Sequence, residues 1–390
     1  MSQDFDPLAP ETFDSPYDVY RQLRETCPVA HSEAWGGFWA LMKHRDVAEA
    51  AADWRTYITS QQNVVPKVAF TGRRPPLHLD PPEHTPYRRA LLPVFSERRI
   101  SRLEPVVRQI CRSLLAPMIV AGGGDIVADF STHLPVATFA HWMNLSTRAI
   151  DELVEAGQRY NIAVQSNDIE ATKSTSLLLY GMARDIVASR RASPLPVDED
   201  ATSALLQTRV NGQPLPEELI IGTIRQVLVV GIIAPSVTIG SFVVHLGRDR
   251  ILQDRLRKDP TLISSAIEEM LRLYTPYRGF ARTAVRDICI NGQTIPAGEP
   301  IALVYASANR DADVFEEPDS FRLDRDNIRE SLAFGRGPHV CIGAPLARLE
   351  LQVAIEELLA AAPGFDLAGE PTPTRFPEIG ALSVPVTFEA

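Results

Sequence analysis

The chain has 390 residues, with 39 Lys and Arg against 49 Asp and Glu, for a formal net charge of −10. That balance argues against broad contact with nucleic acid or anionic lipid, although it leaves room for a local basic patch. At 45% hydrophobic and 23% charged residues the chain can bury a large core, and its four cysteines (27, 111, 289 and 341) form no close pair, which argues against a disulfide framework or zinc site.

The start, Met-Ser-Gln-Asp-Phe-Asp-Pro, has no cationic segment, and no stretch of about eighteen apolar residues runs free of charges or strong breakers. The expectation is a cytoplasmic protein with no membrane insertion, folded as one unit over 1–390. In chain order, the patterns predict a helix over 16–25, a short strand over 37–42 and a helix over 45–53. Residues 59–79 follow no period and include Gly72-Arg73-Arg74-Pro75-Pro76, so they are predicted to form a loop, a candidate pocket wall. Asp80-Pro-Pro-Glu-His-Thr-Pro-Tyr-Arg88 follows. Pro86 suits a first helical turn, and His84 and Arg88 share one side of it. Both could donate to one anionic group, or the turn could be a solvated one.

A long amphipathic helix is predicted over 96–122, carrying Arg98, Arg99, Arg102, Arg108 and Arg112, which by residue type alone read as a solvated face. Residues 132–192 read as helices broken at Ser166-Asn167-Asp168. A Pro-rich linker at 193–198 and a short helix lead to a turn at Asn211-Gly212. The run 216–246 is apolar on nearly all sides, with Arg225 and Gln226 among its few polar members, and should cross the core as a helix. Pro235 has no N–H for the carbonyl of Gly231, so a bend is expected there with that oxygen left free. Thr238 lies one turn beyond Ala234; its hydroxyl either helps to move protons or bonds back to the helix.

Glu269 and Arg272, three apart, can form a bidentate pair, buried or exposed. A strand pair is predicted over 282–296 around Asn291-Gly292, then a polar meander over 308–325 and a last strand over 382–388. Between them stands Phe334-Gly-Arg-Gly-Pro-His-Val-Cys-Ile-Gly343, directly before a helical apolar pattern. A Cys341 thiolate would face the positive end of that helix, and Gly335, Gly337 and Gly343 would admit a flat cofactor close to the backbone. That arrangement suits a cysteine-ligated haem, although a lone thiol in such a loop can also be structural.

The 334–343 run, the Asp-Pro-Pro-x-His-x-x-x-Arg segment at 80–88 and the Glu-x-x-Arg at 269–272 resemble, in order and spacing, the signature segments of the cytochrome P450 family. The likeness extends from about Asp80 to the last strand. It implies a mainly α protein with small β-sheets, the cytochrome P450 fold, binding haem b (iron protoporphyrin IX) with Cys341 as the metal ligand. The resemblance further implies that His84, Arg88, Arg282 and His339 contact the haem propionates. Phe334 and Gly343 would belong to the cofactor loop, and Arg322 would complete a network with Glu269 and Arg272. Residues 96–122 would lie near the face where an acidic redox partner docks.

The implied activity is insertion of one oxygen atom from O₂ into a small or medium, mostly apolar molecule, with electrons from a ferredoxin and its reductase. The sequence departs from the family at one place. Most members carry a carboxylate followed by Thr on the long helix; the usual spacing from Glu269 puts Ile233 and Ala234 there, while Gly231 keeps the family's glycine. Proton delivery would then involve water or the substrate near Gly231, Ala234 and Thr238. Alternatives are a peroxide-driven peroxygenase and, in another class, a non-catalytic thiolate-haem sensor or carrier. The pocket is expected from Val229, Val230, Ile233, Ala234, Tyr277, Phe280 and Ile379. Arg278 would select a carboxylate if turned inward, whereas exposure is the commoner state of Arg.

Overall fold

The computed structural model describes residues 4–14, 16–66, 71–166, 168–231, 233–374 and 378–389. Expectations placed on residues 1–3, 67–70 and Asn167 lie outside the described residues. Proline opens α1 (Pro10–Asp14) and α2 (Pro16–Thr26), where its fixed φ suits a first turn and its missing N–H has no helical partner to lose. Strands β1 (Val29–Ser32) and β2 (Phe38–Leu41) pair antiparallel, and α3 (His44–Ala52), β3 (Tyr57–Ile58) and, beyond the expected loop, α4 (His84–Leu91) follow.

The helix expected over 96–122 is divided into α5 (Glu97–Ile100), a 3₁₀ turn (Ser101–Leu103) and α6 (Glu104–Ala121). Pro105 causes the break, because it has no N–H for the carbonyl four residues earlier. Gly122 ends α6 with φ 72, the left-handed conformation common at a helix C-terminus. Next come β4 (Gly123–Asp125), a π-helical turn and α7 (His133–Trp142). Helices α8 (Thr147–Gln165), α9 (Ile169–Ala192) and α10 (Ala201–Gln207) each start after a side chain that accepts a first-turn N–H: Ser146, Asp168 and Asp200. Asn211 and Gly212, both at positive φ, turn β5 (Arg209–Val210) into β6 (Gln213–Pro214).

The apolar 216–246 run is two helices, α11 (Glu217–Val230) and α12 (Ile233–Arg248), parted at Gly231, where the missing N–H of Pro235 predicts a break. By length and composition 217–248 could cross a membrane, but 76% of its most apolar window is buried inside the fold, so here it forms core. Helix α12 meets α7, α13 (Arg250–Lys258) and α16 (Ala344–Ala361), with α14 (Ile263–Leu273) packed against α16 as well. Phe130, Phe139, Leu228, Phe242 and Ile355 fill the space between these elements.

Strand β7 (Phe280–Ala284) does not pair across Asn291-Gly292. That turn joins β8 (Ile288–Ile290) to β9 (Gln293–Ile295), and β7 pairs with β10 (Pro300–Leu303). The main sheet has the order β1-β2-β10-β7-β3, antiparallel except between β2 and β10, and α15 (Tyr305–Ala308) leaves its end. The last predicted strand is also two. With β11 (Phe365–Leu367) and β12 (Thr372–Pro373) in place, β13 (Ala381–Ser383) pairs with β12, while β14 (Pro385–Phe388) enters a second sheet between β11 and β4.

Candidate active site

Cys341 lies on the loop between a 3₁₀ turn (Gly337–His339) and α16. Its N–H donates to the Phe334 carbonyl at 2.8 Å, which closes the loop. Gly335 and Gly337 both take φ 73, and a Cβ at Gly337 would lie 2.6 Å from the Ala51 carbonyl oxygen. Glycine at 337 therefore serves a left-handed turn seated against the end of α3, a reason the motif itself does not show. The Cys341 side chain is open to water-sized contact yet surrounded by protein in depth, as expected of a thiol facing an internal cleft. Burial pushes the thiol pKa up. The N–H groups of Gly343 and Ala344 and the charges of Arg88 and Arg348 oppose that rise. Arg348 lies 4.6 Å from the Phe334 ring centre and is held by Glu268 at 2.6 and 3.0 Å.

His84 and Arg88 from α4, Arg282 from β7 and His339 from the loop converge beside Cys341. The His84 and His339 rings are 4.6 Å apart. Burial, then Arg88, lower the His84 pKa to about 4; burial, then Arg282, His84 and Arg88, lower that of His339 to about 2. Arg282, 4% exposed, donates to the Ala281 carbonyl and bonds Tyr305. Asp80 stands 4.0 Å from His339, but it accepts the N–H groups of Thr59 and Ser60. His84 Nε2 is buried without a partner. The two guanidiniums of Arg88 and Arg282 and the unpartnered His84 nitrogen fit the two carboxylates of a haem, which would offset the desolvation cost of these groups.

Glu269 and Arg272 are buried and joined by two parallel bonds of 2.8 and 2.7 Å. The third member of the network is Arg325, not Arg322. Arg325 Nε lies 2.9 and 3.0 Å from the two carboxylate oxygens, whereas Arg322 offers Glu269 only its backbone N–H, at 3.1 Å. The Arg322 side chain pairs with Glu316 and Asp324 at the surface. A turn at Leu323 and Asp324 folds the chain back and aims the later arginine inward.

On the long helix, the Thr238 hydroxyl donates to the Ala234 carbonyl at 2.7 Å, so it bonds back to its own helix. Val230 is 46% exposed although its helix lies in the core, and Val229 and Ala234 are half-buried. Tyr277 and Phe280, half-buried with rings 4.7 Å apart, lie nearby in the fold: Tyr277 is within electrostatic reach of Cys341 and of Tyr160 on α8. Ile233 and Ile379 are buried. Arg278 follows neither expectation. It is 2% exposed, and it donates to the carbonyls of Thr12, Phe13, Thr374 and Glu378, tying the N-terminal helices to the segment before β13.

The basic face over 96–122 is largely neutralised. Arg108 pairs with Glu104, Glu356 and Glu357, Arg112 with Glu357 and Arg102 with Glu199, while Arg99 donates to the carbonyls of Trp142 and Glu199.

The family model for cytochrome P450 matches residues 182–362. The chain is 31% identical over 376 residues to linalool 8-monooxygenase of Pseudomonas putida, covering 91% of each. It is 32% identical over 385 residues to mycinamicin IV hydroxylase/epoxidase of Micromonospora griseorubida, covering 95% of this chain and 94% of that one. In structure it matches a cytochrome P450 from Chondromyces apiculatus with TM-score 0.90 and 25% identity, covering 100% and 99%. It matches the mixed-function P450 MycG with TM-score 0.84 and 30% identity, covering 95% and 96%. Agreement of that extent in sequence and fold reflects common descent: this chain belongs to the cytochrome P450 family, the haem-thiolate monooxygenases.

Proposed function

We propose that residues 1–390 act as one catalytic unit in which Cys341 ligates haem b and His84, Arg88, Arg282 and His339 hold its propionates. When bound, a thiolate-ligated haem binds O₂ and, supplied with electrons and protons, splits it, one atom going to the substrate and the other leaving as water. The N–H groups of Gly343 and Ala344 hold negative charge on the sulfur, and Phe334 and Arg348 brace the loop. Val229, Val230, Ile233, Ala234, Tyr277, Phe280 and Ile379 form an apolar wall that keeps bulk water from a small or medium substrate. The Thr238 proton is engaged with Ala234, so this hydroxyl does not pass it toward the pocket. The Gly231 carbonyl, which Pro235 cannot bond, accepts from a water instead and stands at the helix break where the family's acid and alcohol are missing.

Electrons come from a ferredoxin and its reductase in the cytoplasm, without membrane insertion. Because Arg108 and Arg112 already face carboxylates, docking of the ferredoxin depends weakly on salt; a reduction rate that falls steeply with ionic strength would overturn this point. Family membership favours turnover over a sensor role. The missing acid and alcohol pair supports peroxide-driven turnover as the second reading, which a peroxide rate no greater than that of free haem would remove.

The observation that carries the main reading is the Cys341 sulfur, accessible at its surface yet enclosed by protein, beside the N–H donors of Gly343 and Ala344 and the guanidiniums of Arg88 and Arg348. Its test is the reduced protein under carbon monoxide. The red-shifted band of a thiolate complex is expected in the wild type and absent in Cys341→Ala; its absence from the wild type, or survival in the variant, refutes the assignment.

A further inference from the structure

A second buried cationic group lies apart from the Cys341 loop. Arg74, from the loop before α4, and Arg225, from α11, are 7% and 1% exposed. Among the described residues neither has an ion-pair partner, and burial, then Arg225, lower the Arg74 pKa. Arg225 makes one hydrogen bond, from Nη2 to Ser176 Oγ at 2.8 Å, and its guanidinium faces the rings of Tyr160 at 5.1 Å and Tyr180 at 5.9 Å. Its Nε and Nη1 have no acceptor, and neither has Arg74 Nε. Arg74 Nη2 meets His78 Nε2 at 3.2 Å.

Two glycines make this approach possible. A Cβ at Gly222 on α11 would lie 2.1 Å from the Arg73 carbonyl oxygen, and one at Gly72 would lie 2.6 Å from the Tyr180 hydroxyl. The loop is thereby pressed onto α11 and α9, which drives Arg74 into the interior beside Arg225. Two guanidiniums buried without a counter-charge each retain a desolvation cost that an anion would offset.

The cluster adjoins the proposed substrate pocket. Arg225 and Val229, and Gln226 and Val230, are pairs one turn apart on α11, and Val230 is 46% exposed. Tyr160, beneath Arg225, is also within electrostatic reach of Tyr277 on the pocket wall.

We propose that Arg225 and Arg74 form an anion subsite at the far end of the substrate pocket, and that the substrate is an apolar molecule bearing a carboxylate. This inference rests on the monooxygenase reading above. Ser176 takes one of the two Nη2 hydrogens, so one edge of the Arg225 guanidinium, Nη2 together with Nε or with Nη1, can still pair with a carboxylate. Arg225 lies five residues before Val230, the last residue of α11, about 7.5 Å along that helix at 1.5 Å per residue, and Ala234 lies beyond the break at Gly231. Oxidation therefore falls on a carbon remote from the carboxylate, not on its immediate neighbours.

The test titrates the haem-loaded protein with decanoate, dodecanoate and naphthoate, and with their methyl esters, reading the haem spin-state shift. At least one acid binds about thirtyfold more tightly than its ester, the contribution of a charge-assisted hydrogen bond. Arg225→Gln and Arg74→Gln each reduce that preference while keeping the thiolate band with carbon monoxide, and Arg225→Lys keeps part of it. If no acid is preferred over its ester, or the preference survives both Gln substitutions, the inference is overturned. A wild type without the thiolate band would instead overturn the monooxygenase reading.

Discussion

Glu269→Gln removes one negative charge from a site with two buried arginines and keeps the side-chain volume. The carboxylate accepts from Arg272 Nε and Nη2 and from Arg325 Nε, and the three side chains are 1%, 0% and 3% exposed. Breaking one buried ion pair costs about 3–5 kcal/mol, because a charge is left without compensation. Here two cations lose the same partner. Each keeps bonds to backbone carbonyls, Arg272 to Asn309, Pro318 and Ser320 and Arg325 to Glu316, Glu317 and Ser320, which limits the loss. A destabilisation of about 4 kcal/mol is expected, a large part of the roughly 5–15 kcal/mol that holds an ordinary domain. Urea unfolding of the haem-loaded protein, followed by the thiolate band, measures it. Arg325→Ala should also be costly, whereas Arg322→Ala should leave the midpoint unchanged because that side chain meets only surface carboxylates. If Arg322→Ala is as damaging as Arg325→Ala, or if Glu269→Gln costs less than about 1 kcal/mol, the reasoning about this network is wrong.

Burial, then Arg74, Arg225 and Arg73, lower the pKa of His78 from 6.5 to about 3. The unfolded chain therefore binds a proton that the folded one does not, and stability falls as pH drops from 6.5 toward 3; His78→Asn should flatten that part of the stability profile. Glu350, buried on α16, has its carboxyl pushed well above 4.5 by burial, so the folded state is penalised as pH rises past that value. Glu350→Gln should stabilise the protein by about 1–2 kcal/mol at neutral pH, with the gain shrinking toward pH 4.5, and no gain in a thermal melt would contradict this. Thr238→Ala should leave the ratio of product to reductant consumed unchanged; a clear fall in coupling would show that the hydroxyl leaves Ala234 during turnover.

What could be seen in the sequence was what a few neighbouring residues decide. The turns at Asn211-Gly212 and Asn291-Gly292 and the break at Gly231 depend on one or two φ angles or one missing N–H. The cysteine loop and the Glu269–Arg272 pair were legible for the same reason, since three or ten residues contain the whole pattern. Pro105 was equally visible, and dividing the 96–122 helix there needed only the rule already applied to Pro235.

The partners of long cationic side chains were another matter. Arg322 and Arg325 carry the same group in the same meander, and only the turn between them decides which reaches Glu269. Arg278 is satisfied by carbonyls of Thr12 and Glu378, far away in the chain, and Arg108 and Arg112 by carboxylates on α16. A guanidinium can reach acceptors in many directions, so its fate is set by which acceptors the completed topology brings near. Arg225 is the informative exception. The fold surrounds it with two aromatic rings, a serine and another arginine, yet among the described residues supplies no anion, so the interactions that settled the other buried arginines do not settle this one. A charge that the finished fold still leaves uncompensated is better explained by a ligand than by packing.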